Sequence, residues 1–309
     1  MVLKGRSLVH INDLSVPEIE HVLDVAEKLV PAAEGKQRLK AADGKVLATL
    51  FFEPSTRTRL SFEAAMARLG GTSLGFAEPK MTSAAKGETL ADTIRVTSSY
   101  ADLIAMRHPQ EGAARLAQKF SRVPIVNGGD GAGQHPTQTL LDLFTIRREK
   151  GALGKQRVAL VGDLKYGRTV HSLAHGLARF GAEMVCVAPP PLQMPPETIE
   201  ALRQEGARIE TAARLEDVIA TADVLYVTRI QKERFPDLEE YKKVANTYEI
   251  DVELLAKAKR SAIVMHPLPR VGEVSPEVDA TPHAKYFEQA FYGVPVRMAI
   301  LGLILGVLE

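Results

Sequence analysis

The sequence predicts an α/β protein with two doubly wound parallel-sheet domains and a ligand site in the crevice between them. Short, nearly continuous apolar runs alternate with amphipathic helical patterns along the chain, which is typical of buried parallel strands joined by crossover helices. The 309 residues would form two domains at roughly 150 residues each. The predicted strands are Val46–Phe52, Leu103–Met106, Val123–Asn127, Val158–Gly162, Met184–Ala188, Val224–Val227 and Ala262–His266.

The predicted helices have apolar residues at spacings of three and four. A helix over residues 62–69 has one apolar face and is expected to end at Gly70–Gly71, and the same pattern recurs before Gly181. The last helix, from Lys285 to Leu308, is apolar on most faces. We therefore expect this last helix to be buried against the rest of the protein.

The segment Arg147–Gln156 is the expected domain boundary, because a charged helix end meets two glycines there before a new strand starts. The first domain is expected to span residues 1–150 and the second residues 151–284. The C-terminal helix, residues 285–309, is expected to pack back on the first domain.

Composition excludes several classes of protein. Hydrophobic residues make up 45% and charged residues 25% of the chain, as in ordinary globular proteins. A formal net charge of +1 argues against a nucleic-acid-binding surface. The longest apolar run, Met298–Leu308, is about half the ~20 residues that cross a bilayer, and we see no N-terminal leader. A lone cysteine, Cys186, suits a cytoplasmic protein.

Cations and hydrogen-bonding groups follow the predicted strands, where ligands bind in open α/β sheets. Ser-Thr-Arg-Thr-Arg at 55–59 opens a helix whose first N–H groups have no internal partner, which predicts a site of phosphate size. The alternative is a Ser/Thr helix cap with solvated arginines. Pro136 suits the first position of a helix, so His135 and Gln138 are expected on one face at its start.

Four arginines, Arg57, Arg107, Arg168 and Arg229, follow strand ends in both halves of the chain. A guanidinium can hold a phosphate or a carboxylate through two parallel hydrogen bonds, so the crevice suits two small anions. The dinucleotide motif G-x-G-x-x-G, a nucleophile elbow, a metal cluster and a Gly-Lys-Ser loop are absent from the sequence. Transfer between two bound anions, without metal or other cofactor, is the chemistry that remains.

Taken together, the motifs resemble the catalytic chains of the aspartate carbamoyltransferase family, within the aspartate/ornithine carbamoyltransferase superfamily. They run in order along nearly the whole chain: Ser-Thr-Arg-Thr-Arg at 55–59, Lys86-Gly87-Glu88-Thr89, His135-Pro136-Thr137-Gln138, Gly162-Asp163-Leu164-Lys165-Tyr166-Gly167-Arg168, Arg229-Ile230-Gln231 and His266-Pro267-Leu268-Pro269-Arg270. Ornithine enzymes typically have His-Cys-Leu-Pro at the last motif, where this chain has proline at position 267. A carbamoyltransferase for ornithine or another amine is the alternative.

The resemblance implies roles for individual residues. Carbamoyl phosphate would be bound by Ser55, Thr56, Arg57, Thr58, Arg107, His135, Gln138 and the backbone carbonyls of Pro267 and Leu268. The residues with catalytic roles would be His135, Arg57, Thr58, Arg107 and Lys86. Thr58 and His135 would hydrogen-bond the carbamoyl oxygen, and Arg107 would bridge this oxygen and the phosphate. Gln138 and the two backbone carbonyls would orient the carbamoyl nitrogen.

Aspartate would be bound by Lys86, Arg168, Arg229 and Gln231. In this family a serine and a lysine come from a neighbouring subunit. Lys86 matches the lysine, and Ser83 is favoured over Thr82 for the serine.

The resemblance also implies a homotrimer that makes N-carbamoyl-L-aspartate and phosphate in the first committed step of pyrimidine (UMP) biosynthesis. A separate zinc-containing regulatory chain is a further partner that it allows, and neither a membrane nor a nucleic acid is expected as a partner. The loops Thr82–Lys86 and Gln231–Tyr241 are polar and are hypothesised to be lids. A non-catalytic anion-binding protein is the alternative from another functional class.

Overall fold

The structure, a computed structural model, describes residues 3–77, 86–131, 133–230 and 248–309. The chain divides into two compact units. Unit 1 comprises Met1–Leu141 with Phe291–Glu309, and unit 2 comprises Asp142–Ala290.

Unit 1 contains a four-stranded parallel sheet. Its strands are β1 (Val46–Phe51), β2 (Thr72–Phe76), β3 (Leu103–His108) and β4 (Ile125–Asp130), in the order β2-β1-β3-β4. Its helices are α1 (Val16–Ala33), α2 (Thr56–Arg68), α3 (Leu90–Thr97), α4 (Ala113–Phe120) and the start of α5 (Pro136–Lys150). The apolar side chains of Ile94 and Ala114 pack with Ile104 of β3 in one core cluster.

Unit 2 contains a five-stranded parallel sheet. Its strands are β5 (Arg157–Val161), β6 (Glu183–Val187), β7 (Arg208–Ala212), β8 (Val224–Val227) and β9 (Ile263–Met265), in the order β7-β6-β5-β8-β9. The helices are α6 (Arg168–Arg179), α7 (Pro196–Gln204), α8 (Val252–Leu255) and the start of α9 (Tyr286–Leu305). The prediction of two doubly wound parallel-sheet domains is confirmed.

Each sheet reverses its strand order once. In unit 1 the chain passes from β1 to β2 on one side and then returns to β3 on the other, so the reversal lies between β1 and β3. In unit 2 the corresponding reversal lies between β5 and β8. Ligands of open α/β sheets bind beyond the carboxyl ends of the strands at such reversals. These two places are therefore where candidate binding residues are expected.

The sequence prediction missed two strands, β2 and β7. Both lie at the edge of a sheet with one neighbour, and most of their side chains are not buried. Strands whose side chains are mostly exposed do not need a continuous apolar run. The prediction used such runs as its signal for a strand and therefore missed these two. Two further strands extend beyond their predicted ends, since β3 includes Arg107 and β4 includes Gly128–Asp130.

Helix α9 is long and apolar enough to cross a membrane, but 72% of its most apolar window is buried inside the protein. A core helix passes the same test of length and composition. The expectation that the last helix is buried is confirmed, with bounds Tyr286–Leu305. One of its carbonyls, that of Ile304, accepts a hydrogen bond from the N–H of Gly5 at 2.9 Å.

The units divide inside two helices, after Leu141 in α5 and after Ala290 in α9. The boundary expected at Arg147–Gln156 lies farther along, where α5 ends and β5 begins. The assignment of residues 1–150, 151–284 and 285–309 to domains stays a prediction.

Cys186 lies inside β6 and is fully buried. Its Sγ is 4.0 Å from the sulfur of Met194. Burial raises the pKa of this thiol to about 12, so the group is protonated at neutral pH and behaves as a small apolar side chain.

Candidate active site

The amino end of α2 is an open array of hydrogen-bond donors. Ser55 precedes the helix, and its hydroxyl makes no capping hydrogen bond. The N–H of Arg59 donates to the carbonyl of Ser55 at 3.1 Å, so the N–H groups of residues 56–58 precede the first helical hydrogen bond. With the positive end of the helix dipole, these donors suit an anion of phosphate size. The alternative of a serine side-chain cap is therefore wrong.

Arg57 and Arg107 add two positive charges near these donors. Burial, and then the positive charge of Arg107, hold the pKa of Arg57 below its usual value. Arg107 has a side chain only 12% exposed, and its Nη2 donates to Oε1 of Glu53 at 3.1 Å. It lies within β3, one residue before its end, whereas the sequence prediction placed it directly after the strand. Because the two guanidinium groups repel each other, a bound anion would stabilise both.

The loop that follows β4 is held by two polar side chains. Asn127 donates from Nδ2 to the carbonyl of Val9 at 3.0 Å and to Oδ1 of Asp130 at 3.0 Å. Asp130 in turn accepts the N–H of Gln134 at 2.8 Å and the N–H of Gly112 at 2.9 Å. This network fixes the backbone immediately before the predicted binding residue at position 135.

His135 directly precedes the helix α5, whose first residue is Pro136, as the sequence predicts. It is 3% exposed, and its carbonyl accepts the N–H groups of Gln138 at 2.9 Å and Thr139 at 3.1 Å. Arg297 of α9 supports the same helix end, because its Nη2 donates to the hydroxyl of Thr137 at 3.3 Å. The first turn of α5 is therefore anchored within unit 1.

The strand order brings the predicted phosphate-site residues of unit 1 to one edge of its sheet. Gly128 of β4 lies next to the start of α2, because a Cβ atom built on this glycine would be 3.5 Å from the methyl group of Thr58. The carbonyl of Gly128 also accepts a hydrogen bond from Nη1 of Arg107 at 3.4 Å. The amino end of α2, the end of β3 and the segment leading to His135 thus meet around β4.

In unit 2, β5 and β8 approach closely where they end. Gly162 has φ +115°, and a Cβ there would lie 2.2 Å from the carbonyl oxygen of Thr228, so only glycine fits. Thr228 donates its N–H at 2.8 Å and its hydroxyl at 3.1 Å to the carbonyl of Val161. These contacts fix the backbone directly before Arg229, which lies at the reversal of strand order. Its side chain is half-buried.

Arg168 is the first residue of α6 and is 8% exposed. The segment before it is ordered by the N–H of Tyr166, which donates to Oδ1 of Asp163 at 2.9 Å. Nε2 of His171 donates to the carbonyl of Leu164 at 2.7 Å, and burial lowers the pKa of this histidine. A cation at the positive end of a helix gains nothing from the helix dipole. The helix dipole therefore does not account for an arginine at this position.

Pro267 and Leu268 follow β9, the neighbour of β8. Leu268 has φ +55°, in the left-handed region. Among the residues that the structure describes, neither backbone carbonyl accepts a hydrogen bond. Two acceptors are therefore available to a ligand at this edge of the sheet.

Three predicted binding positions, Ser83, its alternative Thr82 and Gln231, lie outside the described residues, as do most of the two hypothesised lid loops. Lys86 is described and exposed, and within the described part of the chain it makes no hydrogen bond or ion pair. Over the same residues, no group of three histidine, cysteine or acidic side chains could hold a metal ion.

Two site features were not predicted from the sequence. Glu53 pairs with Arg107, and His266 binds the backbone of Leu268 through its Nδ1 at 2.8 Å. The position of Glu53 directly after the predicted strand Val46–Phe52 was a usable signal. His266 also directly follows a strand, β9, but its contact with Leu268 depends on the path of the following backbone, which the sequence does not reveal.

Comparison with known proteins identifies the family. Residues 6–148 match the family described as aspartate/ornithine carbamoyltransferase, carbamoyl-P binding domain. Residues 154–304 match the one described as aspartate/ornithine carbamoyltransferase, Asp/Orn binding domain. The chain belongs to the aspartate/ornithine carbamoyltransferase family.

Individual relatives place the chain on the aspartate side of this carbamoyltransferase family. The aspartate carbamoyltransferase catalytic subunit of Methanosarcina acetivorans is 57% identical, and that of Thermococcus onnurineus 55%, each over 100% of both chains. Among solved structures, Trypanosoma cruzi aspartate transcarbamoylase in complex with carbamoyl phosphate and aspartate has a TM-score of 0.94 at 43% identity, covering 98% of both chains. The catalytic subunit of the M. jannaschii enzyme has a TM-score of 0.91 at 53% identity, covering 97% of this chain and 98% of the other.

Proposed function

We propose that this chain is an aspartate carbamoyltransferase, which transfers the carbamoyl group of carbamoyl phosphate to the α-amino group of L-aspartate and releases phosphate. The observation that carries the proposal is the full-length similarity, at 57% identity, to a catalytic subunit of that activity. The activity named for these relatives supports a place for the product, N-carbamoyl-L-aspartate, in pyrimidine (UMP) biosynthesis. The arginines at the two reversals of strand order supply the anion-binding chemistry that the reaction needs.

Unit 1 would bind carbamoyl phosphate. The hydroxyl and N–H groups of residues 55–58 would hold the phosphate together with Arg57, and Arg107 would reach both the phosphate and the carbonyl oxygen. Thr58 and His135 would donate to that oxygen, while Gln138 would orient the carbamoyl nitrogen. The open donor array of α2 and the mutual repulsion of the two arginines support these roles.

Unit 2 would bind aspartate through Arg168 and Arg229, with Gln231 as a further ligand. Two guanidinium groups match the two carboxylates of aspartate. Ornithine carries an ammonium group where aspartate has its second carboxylate, so the same pair would repel it. Pro267, in place of the cysteine typical of ornithine enzymes, supports the same choice.

The reaction brings about four negative charges together, two from each substrate, so it needs paired cations in the site. Arg57, Lys86, Arg107, Arg168 and Arg229 would supply them. The deprotonated amino group of aspartate attacks the carbamoyl carbon, a tetrahedral oxyanion forms, and phosphate leaves and can take the amine proton. A donor aimed at the oxyanion is typically worth ~3 kcal/mol in the transition state. Holding both substrates in one site supplies much of the remaining acceleration.

We further propose a cytoplasmic homotrimer in which Lys86 and Ser83 act in the site of a neighbouring subunit. Four exposed apolar side chains of unit 1 support an interface with a second copy: Leu60, Leu74, Val96 and Tyr100. The exposed edge strand β2 leads directly into the segment that precedes Lys86. The words catalytic subunit in the names of the relatives support a separate regulatory chain as a further partner.

An assay in metal-free buffer tests the activity directly. The protein is given carbamoyl phosphate with aspartate or with ornithine, and the carbamoylated product is detected. We expect turnover of aspartate only. Turnover of ornithine alone would identify the protein as an ornithine carbamoyltransferase instead. Absence of turnover by folded trimers would favour a non-catalytic anion-binding protein.

Changing Arg229 to alanine should chiefly weaken aspartate binding. Loss of one charge-assisted carboxylate contact is expected to raise the KM for aspartate by about 10- to 100-fold. The KM for carbamoyl phosphate should change little. Steady-state kinetics with each substrate varied separately would measure the split, and an unchanged KM for aspartate would rule out the assigned role.

A further inference from the structure

His266 is a buried histidine to which the mechanism above gives no role. It is 2% exposed, and its two ring nitrogens bind different partners. Nδ1 accepts the backbone N–H of Leu268 at 2.8 Å, and Nε2 lies 2.7 Å from Oε1 of Glu273. Because a backbone amide can only donate, Nδ1 carries no hydrogen. The neutral ring therefore has its hydrogen on Nε2 and donates it to Glu273.

Glu273 also binds the backbone that follows Leu268. Its second oxygen, Oε2, accepts the N–H groups of Val271 at 3.0 Å and Gly272 at 3.1 Å. Burial by itself would raise the pKa of Glu273, but hydrogen bonds from His266 and from the backbone hold it below its usual value. The carboxylate is thus a charged acceptor that orients the ring of His266.

The conformation of Leu268 shows what the ring holds in place. A φ of +55° is rare for a residue other than glycine and persists only where the surroundings enforce it. The N–H of Leu268 and the carbonyl of Pro267 belong to one planar peptide unit and point in opposite directions. The hydrogen bond to Nδ1 therefore also fixes the direction of the Pro267 carbonyl.

We propose that His266, oriented by Glu273, is a positioning residue for carbamoyl phosphate. It holds the peptide between Pro267 and Leu268 so that the Pro267 carbonyl, next to the carbonyl of Leu268, accepts a hydrogen bond from the carbamoyl nitrogen. The inference rests on the proposed function and deepens it. It assigns to this backbone segment the selectivity for an acyl phosphate with an N–H donor over one without. Acetyl phosphate has a methyl group in place of this nitrogen and cannot use the two acceptors.

Calorimetric binding of carbamoyl phosphate and of acetyl phosphate to the full chain tests the proposal without requiring turnover. In His266→Ala, the affinity for carbamoyl phosphate should fall by about tenfold, the loss expected for one hydrogen bond. The affinity for acetyl phosphate should stay within about twofold of the wild type, because its contacts are retained. Selectivity between the two ligands should therefore fall.

Two further variants separate positioning from structural support. In His266→Asn, the shorter side chain can still accept the N–H two residues on, as in an Asx turn, and should restore most of the selectivity. In His266→Gln, the longer side chain reaches toward Glu273 instead and should not restore it. If His266→Ala fails to fold, the comparison of Asn with Gln carries the test.

A matched control is His283→Ala. This histidine also lies in unit 2 and hydrogen-bonds a backbone carbonyl through Nδ1, that of Ala262 at 2.7 Å. Its loss should leave the ligand selectivity unchanged. Equal losses for both ligands in His266→Ala, unchanged selectivity, or an Asn variant as impaired as the Ala variant would overturn the inference. Absence of turnover with intact, selective binding would instead count against the proposed function alone.

Discussion

Arg57→Gln should lower kcat/KM for carbamoyl phosphate by about 10³-fold, the upper range for loss of one preorganised donor to a developing anion. Arg57 stands at the amino end of α2, and the positive charge of Arg107 contributes to lowering its pKa. Glutamine keeps much of the length but removes the charge and the paired donors that grip a phosphate. Steady-state kinetics and calorimetric binding of inorganic phosphate would measure the loss.

Arg59→Gln is the matched control, because it makes the same change two residues along the same helix. Arg59 instead pairs with Glu63 one turn away, at 2.7 Å, and such helix pairs are worth about 0.3–0.5 kcal/mol. Its variant should stay near wild-type activity. Equal activities of the two variants would remove Arg57 from the phosphate site.

Asp142→Ala should lower the free energy of unfolding by about 3 kcal/mol, because it leaves buried donors without an acceptor. Asp142 is fully buried. Its Oδ2 accepts the hydroxyl of Tyr226 at 2.8 Å, and its Oδ1 accepts Nε2 of Gln289 at 2.7 Å. Gln289 in turn accepts the backbone N–H of His266 at 2.8 Å. The variant should therefore also make the backbone at His266, directly before Pro267, more mobile.

Urea unfolding followed by circular dichroism would measure this loss. Asp142→Asn keeps one acceptor oxygen and should lose less. Asp43→Ala removes an exposed carboxylate in a turn and should change the unfolding free energy by no more than about 0.5 kcal/mol. A loss in Asp142→Ala no larger than in Asp43→Ala would show that the buried network does not stabilise the fold.

The predicted part of the fold follows from burial. Strands covered on both faces need continuous apolar runs, so the prediction of a strand over Val224–Val227 is confirmed at both ends. Edge strands have no such requirement, and Arg208–Ala212, with alternating polar residues and little burial, carries no comparable signal. Strand ends are a further limit, because Arg107 continues β3 through backbone pairing that its side chain does not reveal.

The charged residues of the candidate site could be predicted from the sequence, but the contacts that hold them and the neighbouring backbone in place could not. Arg57, Arg168 and Arg229 were recognisable because strand ends collect ligand-binding residues in this class of fold. The pairing of Arg107 with Glu53 depends on the distance between two strand ends. The contact between His266 and Leu268 depends on a left-handed residue, and no pattern of residue types specifies that conformation for leucine.

The buried thiol of Cys186 makes the natural chain a background for site-specific labelling. Thiol reagents attack the exposed thiolate, and this sulfur is enclosed and protonated at neutral pH. A spin label would therefore attach only to a cysteine introduced elsewhere, for example at the exposed Leu116, which lies outside the apolar patch proposed as the interface. Three coupled labels separated by one common distance would then report a threefold assembly in solution, whereas a dimer would show only two coupled labels.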